Sequence, residues 1–131
     1  MGVADTHTAV WYLLGNPRLS VIAKDLMEDA ASAGSSIGVS PISFAEIVYL
    51  VEKGRLDASV YRGLKQALPD PPYVIEEAPL TAEVVEALRR VSLPEVPDMP
   101  DRIIAATAVY FGVPVISRDG RILASSVKTI W

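Results

Sequence analysis

Cysteine is absent from the 131 residues, and histidine occurs once, at His7. The first absence excludes a disulfide framework and every thiolate metal site, so a bound metal ion has only oxygen ligands and one imidazole to draw on. No apolar run approaches the ~18 uninterrupted residues of a membrane-spanning helix, and the first residues hold neither a basic segment nor a long apolar one of the kind export signals carry. The reading is a soluble, cytoplasmic chain with no membrane partner. Positive charge is also in short supply, with 12 Lys and Arg against 16 Asp and Glu and a formal net charge of −4. That balance argues against a broad basic face that coats nucleic acid, because such binding draws its affinity from neutralised phosphates. It leaves room for a nuclease, since acids gathered around metal ions count as negative in a sequence but are offset by the cations in use. Aromatics are few, 7% within a 50% hydrophobic composition. An aliphatic core in one domain, residues 1–131, is expected.

What is present alternates between short apolar runs and helical stretches. Strands are expected at 2–4, 37–40, 73–75, 113–117 and 127–130, the last at a sheet edge. Between them the spacing predicts helices over 8–14, over 20–33 with Ser20 as cap, over 44–52 with Ser43 as cap, and over 57–68. Further helices are expected over 82–91, capped by Thr81, and over 101–111, ending at Gly112. Pro41 is read as a turn, Pro69-Asp70-Pro71-Pro72 as a rigid turn, and 93–100, with three prolines, as a loop. Strands separated by helices imply an α/β fold, a three-layer α/β/α sandwich around a mostly parallel five-stranded sheet with right-handed crossovers.

Four acids stand where an acid contributes little to such a fold. Asp5 follows the first strand and Asp119 the fourth, and in open α/β sheets ligand sites gather beyond the carboxyl ends of strands. Glu46 lies in a helix that is apolar almost all round, without an obvious polar face to receive it. Asp101 opens the Ile103-Ile104-Ala105-Ala106 helix, with Asp98 just before it. Each acid also has an ordinary structural reading. Asp5 is a natural helix cap, one of Asp98 and Asp101 suits the same role, and Asp119-Gly120 is a common turn dipeptide.

Taken together, the local contexts are more specific. Val3-Ala4-Asp5-Thr6-His7-Thr8, Ser43-Phe44-Ala45-Glu46-Ile47, Asp101-Arg102-Ile103-Ile104-Ala105-Ala106-Thr107-Ala108 and Pro114-Val115-Ile116-Ser117-Arg118-Asp119 occur in this order. They resemble the ordered motifs of PIN-domain proteins, and most of all the VapC-type toxins of toxin–antitoxin pairs. The resemblance runs from residue 3 to about residue 130, and it selects Asp101 over Asp98.

The resemblance implies an endoribonuclease that uses magnesium or manganese, acting as a toxin. Carboxylates about 4 Å apart repel by roughly 4 kcal/mol at an effective dielectric of about 20, so a cation resolves the cluster. Asp5 and Asp101 are then direct metal ligands, and Glu46 and Asp119 are ligands, water-mediated ligands or groups that orient the attacking water. All four are the expected catalytic set. Thr6 and Ser117, each adjacent to an acid, are placed to hydrogen-bond carboxylates or water. Arg102 and Arg118 are the expected phosphate contacts, with Arg121 nearby. His7 is left out of the catalytic set.

The same resemblance implies an RNA substrate, a cognate antitoxin and a homodimer. Val10, Trp11, Leu13 and Leu14 on the early helix, with Val48, Tyr49 and Val51 on the Glu46 helix, are the candidate antitoxin groove. An acidic cleft would attract a basic tail, above all an Arg. A haloacid-dehalogenase-like phosphatase needs a second Asp where this chain has His7, and a receiver-type phosphoacceptor needs an acidic pair and a Lys that are not there. A non-catalytic PIN-like module that binds RNA or protein is the alternative, although all four acids are retained. The Met1-Gly2 start fits the loose myristoylation pattern only by chance, since a lipid there would take the end of the first strand.

Overall fold

The computed structural model describes residues 1–68 and 74–131, so the expected 69–72 turn and Tyr73 lie outside the described residues. Five strands form one sheet: β1 (Gly2–Ala4), β2 (Ile37–Val39), β3 (Ile75–Glu77), β4 (Val115–Ile116) and β5 (Thr129–Ile130). Their order is β3-β2-β1-β4-β5, and every pairing is parallel. The chain therefore builds outward from β1 to one edge, returns, and builds to the other. β5 occupies an edge, as expected. The third strand lies further along the chain than the sequence suggested, ending in Glu76 and Glu77 with both side chains exposed. Acidic residues suit a sheet edge, where charge discourages pairing with another chain.

The helices are α1 (Thr6–Leu14), α2 (Val21–Ser32), α3 (Pro41–Glu52), α4 (Ala58–Ala67), α5 (Ala82–Glu86), α6 (Met99–Phe111) and α7 (Gly120–Ala124). Alternation along the strands splits the core in two. Ala4 and Ile116 pack with α1, α2, α3 and α4 residues such as Met27, Ile47 and Leu64. Val3 and Val115 face the other way, against Ala87, Ile104, Ala105 and Ile122. No described helix is long and apolar enough to cross a membrane.

Three helix starts differ from the sequence reading, and each difference is a matter of capping. The third helix begins at Pro41 rather than after Ser43: Ser40 is the cap, and Pro41 takes the first helical position, where its missing N–H costs nothing. The sixth begins at Met99, with Asp98 as the cap that accepts from the Asp101 N–H, so Asp101 falls in the first turn. The first begins at Thr6, directly on Asp5. The predicted 82–91 helix is shorter, since α5 tightens at Ala87–Arg90 into a 3-10 turn. α7, capped by Asp119, is a helix that the sequence reading does not include; there Asp119-Gly120 is only a common turn dipeptide. α6 ends at Gly112, whose φ of 68° is a left-handed conformation that favours glycine.

Candidate active site

The strand order reverses between β1 and β4, and in open parallel sheets such a switch point is where ligand sites gather beyond the carboxyl ends of the strands. Asp5 leaves β1 at that point, and Ser117 leaves β4. Asp5 is only 6% exposed, and a carboxylate so nearly buried needs its oxygens satisfied. Oδ1 accepts from the Thr8 N–H at 2.7 Å, the N-cap bond of α1. Oδ2 accepts from the hydroxyl of Ser117, which is fully buried. The capping reading of Asp5 is thus correct, and its second oxygen is engaged separately by Ser117. Ser117 Oγ also accepts from the Asp119 N–H at 3.0 Å, so a single hydroxyl bridges the first and last of the four acids.

Glu46 is held in the same manner from the other wall. The Thr6 hydroxyl donates to Glu46 Oε1 at 2.6 Å. Thr6 and Ser43 Oγ are 3.0 Å apart, and because Thr6 gives its only proton to the carboxylate, Ser43 is the donor in that pair. Ser43, expected as a helix cap, is instead a buried support for the Thr6–Glu46 bond. Its spacing carries the signal: residues three apart share a helix face, so Ser43 and Glu46 point to the same side.

Asp101 differs from the other three. Among the described residues nothing donates a hydrogen bond to its carboxylate, and its pKa is pushed up to about 7 by burial, then by the charges of Asp98, Asp119, Glu46 and Asp5. The charges of all the other acids singled out in the sequence thus act on this one carboxyl. Asp98 is exposed and engaged as the helix cap. Asp119 caps α7 through Oδ1, which accepts from the Arg121 and Ile122 N–H groups at 2.9 and 3.1 Å, leaving Oδ2 uncommitted. No group of three described His, Asp or Glu side chains stands ready to enclose an ion. The donors are nonetheless all carboxylate oxygens, the ligand type of hard divalent cations.

The two arginines diverge. Arg102, expected at the phosphate, turns away: its Nη2 donates to the Leu88 and Val91 carbonyls at 2.9 and 3.0 Å, tying α6 to the 3-10 turn. Helix geometry explains this, since consecutive residues point about 100° apart and Asp101 already faces the acids. Arg118 is exposed, with its guanidinium carbon 5.4 Å from the centre of the Trp11 ring. Trp11 in turn sits 5.6 Å from the His7 ring and 5.9 Å from Trp131.

Carboxylates at the ends of β1 and β4 and on the adjoining α3 and α6, with Asp5 and Glu46 braced by hydroxyls, define an α/β protein with acids at the switch point of a parallel sheet. The chain belongs to the PIN-domain family, whose model matches residues 3–126. It is 29% identical over 119 residues to ribonuclease VapC22 of Mycobacterium tuberculosis (strain ATCC 25618 / H37Rv), across 90% of this chain and 86% of that protein. In fold it is similar to VapBC2 from Rickettsia felis, whose crystal structure is bound to a DNA fragment from their promoter. That likeness has a TM-score of 0.72 over 98% of this chain and 96% of that one, at 16% identity.

Proposed function

We propose that the chain is a divalent-metal-dependent endoribonuclease and the toxin of a toxin–antitoxin pair. The observation that carries this reading is the meeting of Asp5 and Asp119 on the Ser117 hydroxyl at the ends of β1 and β4, with the half-buried Asp101 carboxyl left without a donor among the described residues and raised to about 7 by burial and by the neighbouring acids. Negative charge concentrated in this way, with Arg102 directed elsewhere, has a cation as its complement. The likeness to a named ribonuclease over most of the chain supports the choice of RNA.

Asp5 and Asp101 would hold a magnesium or manganese ion, with Glu46 and Asp119 as further ligands, directly or through water. When bound, the ion supplies Lewis acidity at the phosphoryl oxygens and acidifies a water for in-line attack. The chain's own part is positional. Thr6 fixes the Glu46 carboxylate, Ser117 fixes Asp5, and Asp119 keeps one free oxygen beside them. Glu46 would orient the water, and Arg118, which is exposed, would meet the arriving phosphate.

Antitoxin binding and a homodimer belong to the same proposal. Leu14, Val48 and Tyr49 are exposed and apolar, and Trp11, Leu13 and Val51 are half-buried, so these six would supply the antitoxin groove. Val10 leaves that set because it is buried in the core. In the test, purified protein with manganese cleaves RNA, EDTA stops it, and Asp101→Asn abolishes it while the protein stays folded. Cleavage by Asp101→Asn at the parent rate would overturn the reading. Sedimentation gives the oligomeric mass, and co-expression with the neighbouring reading frame tests for the antitoxin.

A further inference from the structure

Beside the acids, between α1 and the end of α3, lies a cavity of about 340 Å³ that the cleavage site does not use. Thr6 forms part of its wall, and the hydroxyl of the same residue donates to Glu46, so one side chain separates the cavity from the acids. Leu50 and Leu56 supply an apolar lining, Trp11 an aromatic one, and Arg18 and Arg55 bring two positive charges. The volume falls within the ~300–1,000 Å³ of small-ligand sites.

We propose that this cavity seats the nucleotide adjoining the scissile phosphate of a single-stranded RNA, with Trp11 receiving the base and Arg18 and Arg55 a backbone phosphate. The proposal rests on the nuclease reading of the acids and adds the element that chooses the RNA's conformation there. Three observations converge on it. In a chain with a net charge of −4, Arg18 and Arg55 meet here and Arg118 covers Trp11 from beside it. Neither Arg18 nor Arg55 has a carboxylate partner among the described residues, where the ion pairs are Lys24–Glu28 and Glu86–Arg89. No Asp or Glu lines the cavity, so its charge suits a phosphodiester and opposes the basic peptide that the acidic cleft would attract.

An aromatic surface with flanking guanidinium groups is the usual means of holding an unpaired base, because every base has a π-face and every linkage a phosphate. A duplex keeps its bases stacked inside, so the cavity selects loops and single strands. His7, exposed at the same opening, offers its ring nitrogens to the edge of the base.

The test uses the non-cleaving Asp101→Asn protein with magnesium and a fluorescein-labelled single-stranded RNA of about ten nucleotides, within the site sizes of such proteins. Replacing Arg18 and Arg55 together by Ala is expected to weaken binding about tenfold or more. It should also reduce the salt slope by about 1.4, the value for two lost contacts on a single strand. Trp11→Ala weakens it about tenfold, and Trp11→Phe restores most of the loss. In a Trp131→Phe background, RNA quenches the remaining Trp11 fluorescence. In the cleaving protein, the double Ala variant raises KM and keeps EDTA sensitivity.

Unchanged affinity, salt slope and KM in the double variant overturn the proposal, whether or not Trp11→Ala folds. So does unchanged RNA binding combined with loss of a co-expressed partner protein, which makes the cavity a peptide site. If the parent protein cuts no RNA under any metal but the double variant still loses RNA binding, the nuclease reading falls and the cavity assignment stands.

Discussion

The Ser117 hydroxyl donates to Oδ2 of Asp5 and joins the ends of β1 and β4, two strands 112 residues apart in the chain. Asp5 has its other oxygen on the Thr8 N–H, so both oxygens of this nearly buried carboxylate are directed by protein donors. Its orientation therefore precedes any ligand. The same hydroxyl accepts from Asp119, so three positions at the switch point depend on one proton donor.

Ser117→Ala is accordingly expected to reduce manganese affinity or cleavage by about 10–100-fold, the usual effect of removing a group that orients a metal ligand. The Asp119 N–H loses its acceptor as well, at about 1 kcal/mol of stability. Calorimetric titration with manganese, next to thermal unfolding in EDTA, separates the two effects. Parent-like manganese affinity in a folded Ser117→Ala protein would contradict the orienting role.

The hydroxyls show how far the sequence could be read. Adjacency to an acid brought out Thr6 and Ser117, because a residue beside a strand-end carboxylate has few other places to point. The sheet, its parallel strands and its α/β/α layering followed from alternating short apolar runs and helical spacing. Helix starts did not, since Ser40, Ser43, Asp98 and Asp101 are all acceptable caps and only the packed backbone decides among them. The direction of Arg102 is not legible in the sequence for a related reason. Its partners are the carbonyls of Leu88 and Val91, and backbone carbonyls carry no side-chain signature.

Asp101 gives a pH prediction with a definite sign. Its folded pKa of about 7 stands above the ordinary 3.8, so the folded protein holds a proton that the unfolded chain releases. Stability of the metal-free protein therefore falls as pH rises between these values and levels off above the upper one. Thermal unfolding in EDTA from about pH 5 to about pH 8 should show this decline, and Asp101→Asn should flatten it and melt higher at the alkaline end. An Asp101→Asn protein with the parent's pH slope would refute the assignment.

Protons and metal compete for the same carboxyl, so magnesium affinity should rise with pH up to about 7 and then level. The gain in melting temperature from a fixed magnesium concentration is expected to be small near pH 5 and larger near pH 8. A magnesium effect independent of pH would place the ion away from Asp101.

Thr6→Val keeps shape while removing the donor to Glu46, and it leaves Ser43 without its hydroxyl partner. Cleavage should fall mainly in kcat, since a loosened Glu46 affects the reacting groups more than the hold on substrate. Thr6→Ser should recover most of the activity. Loss in KM alone, with kcat intact, would show that Glu46 does not depend on Thr6.

Arg102 separates an architectural role from a substrate role. One nitrogen of its fork serves two carbonyls at the end of the 3-10 turn, bonds from a charged donor worth about 1.5–3 kcal/mol. Arg102→Met retains the apolar stem and loses both bonds, and Arg102→Lys has a single ammonium that cannot reproduce the planar fork. Both variants are expected to melt about 5–10 °C lower. RNA KM measured well below the transition should remain that of the parent, because the guanidinium faces the turn and not the acids. A raised KM with an unchanged melting temperature would instead return Arg102 to the phosphate, which would require it to leave Leu88 and Val91 when RNA binds.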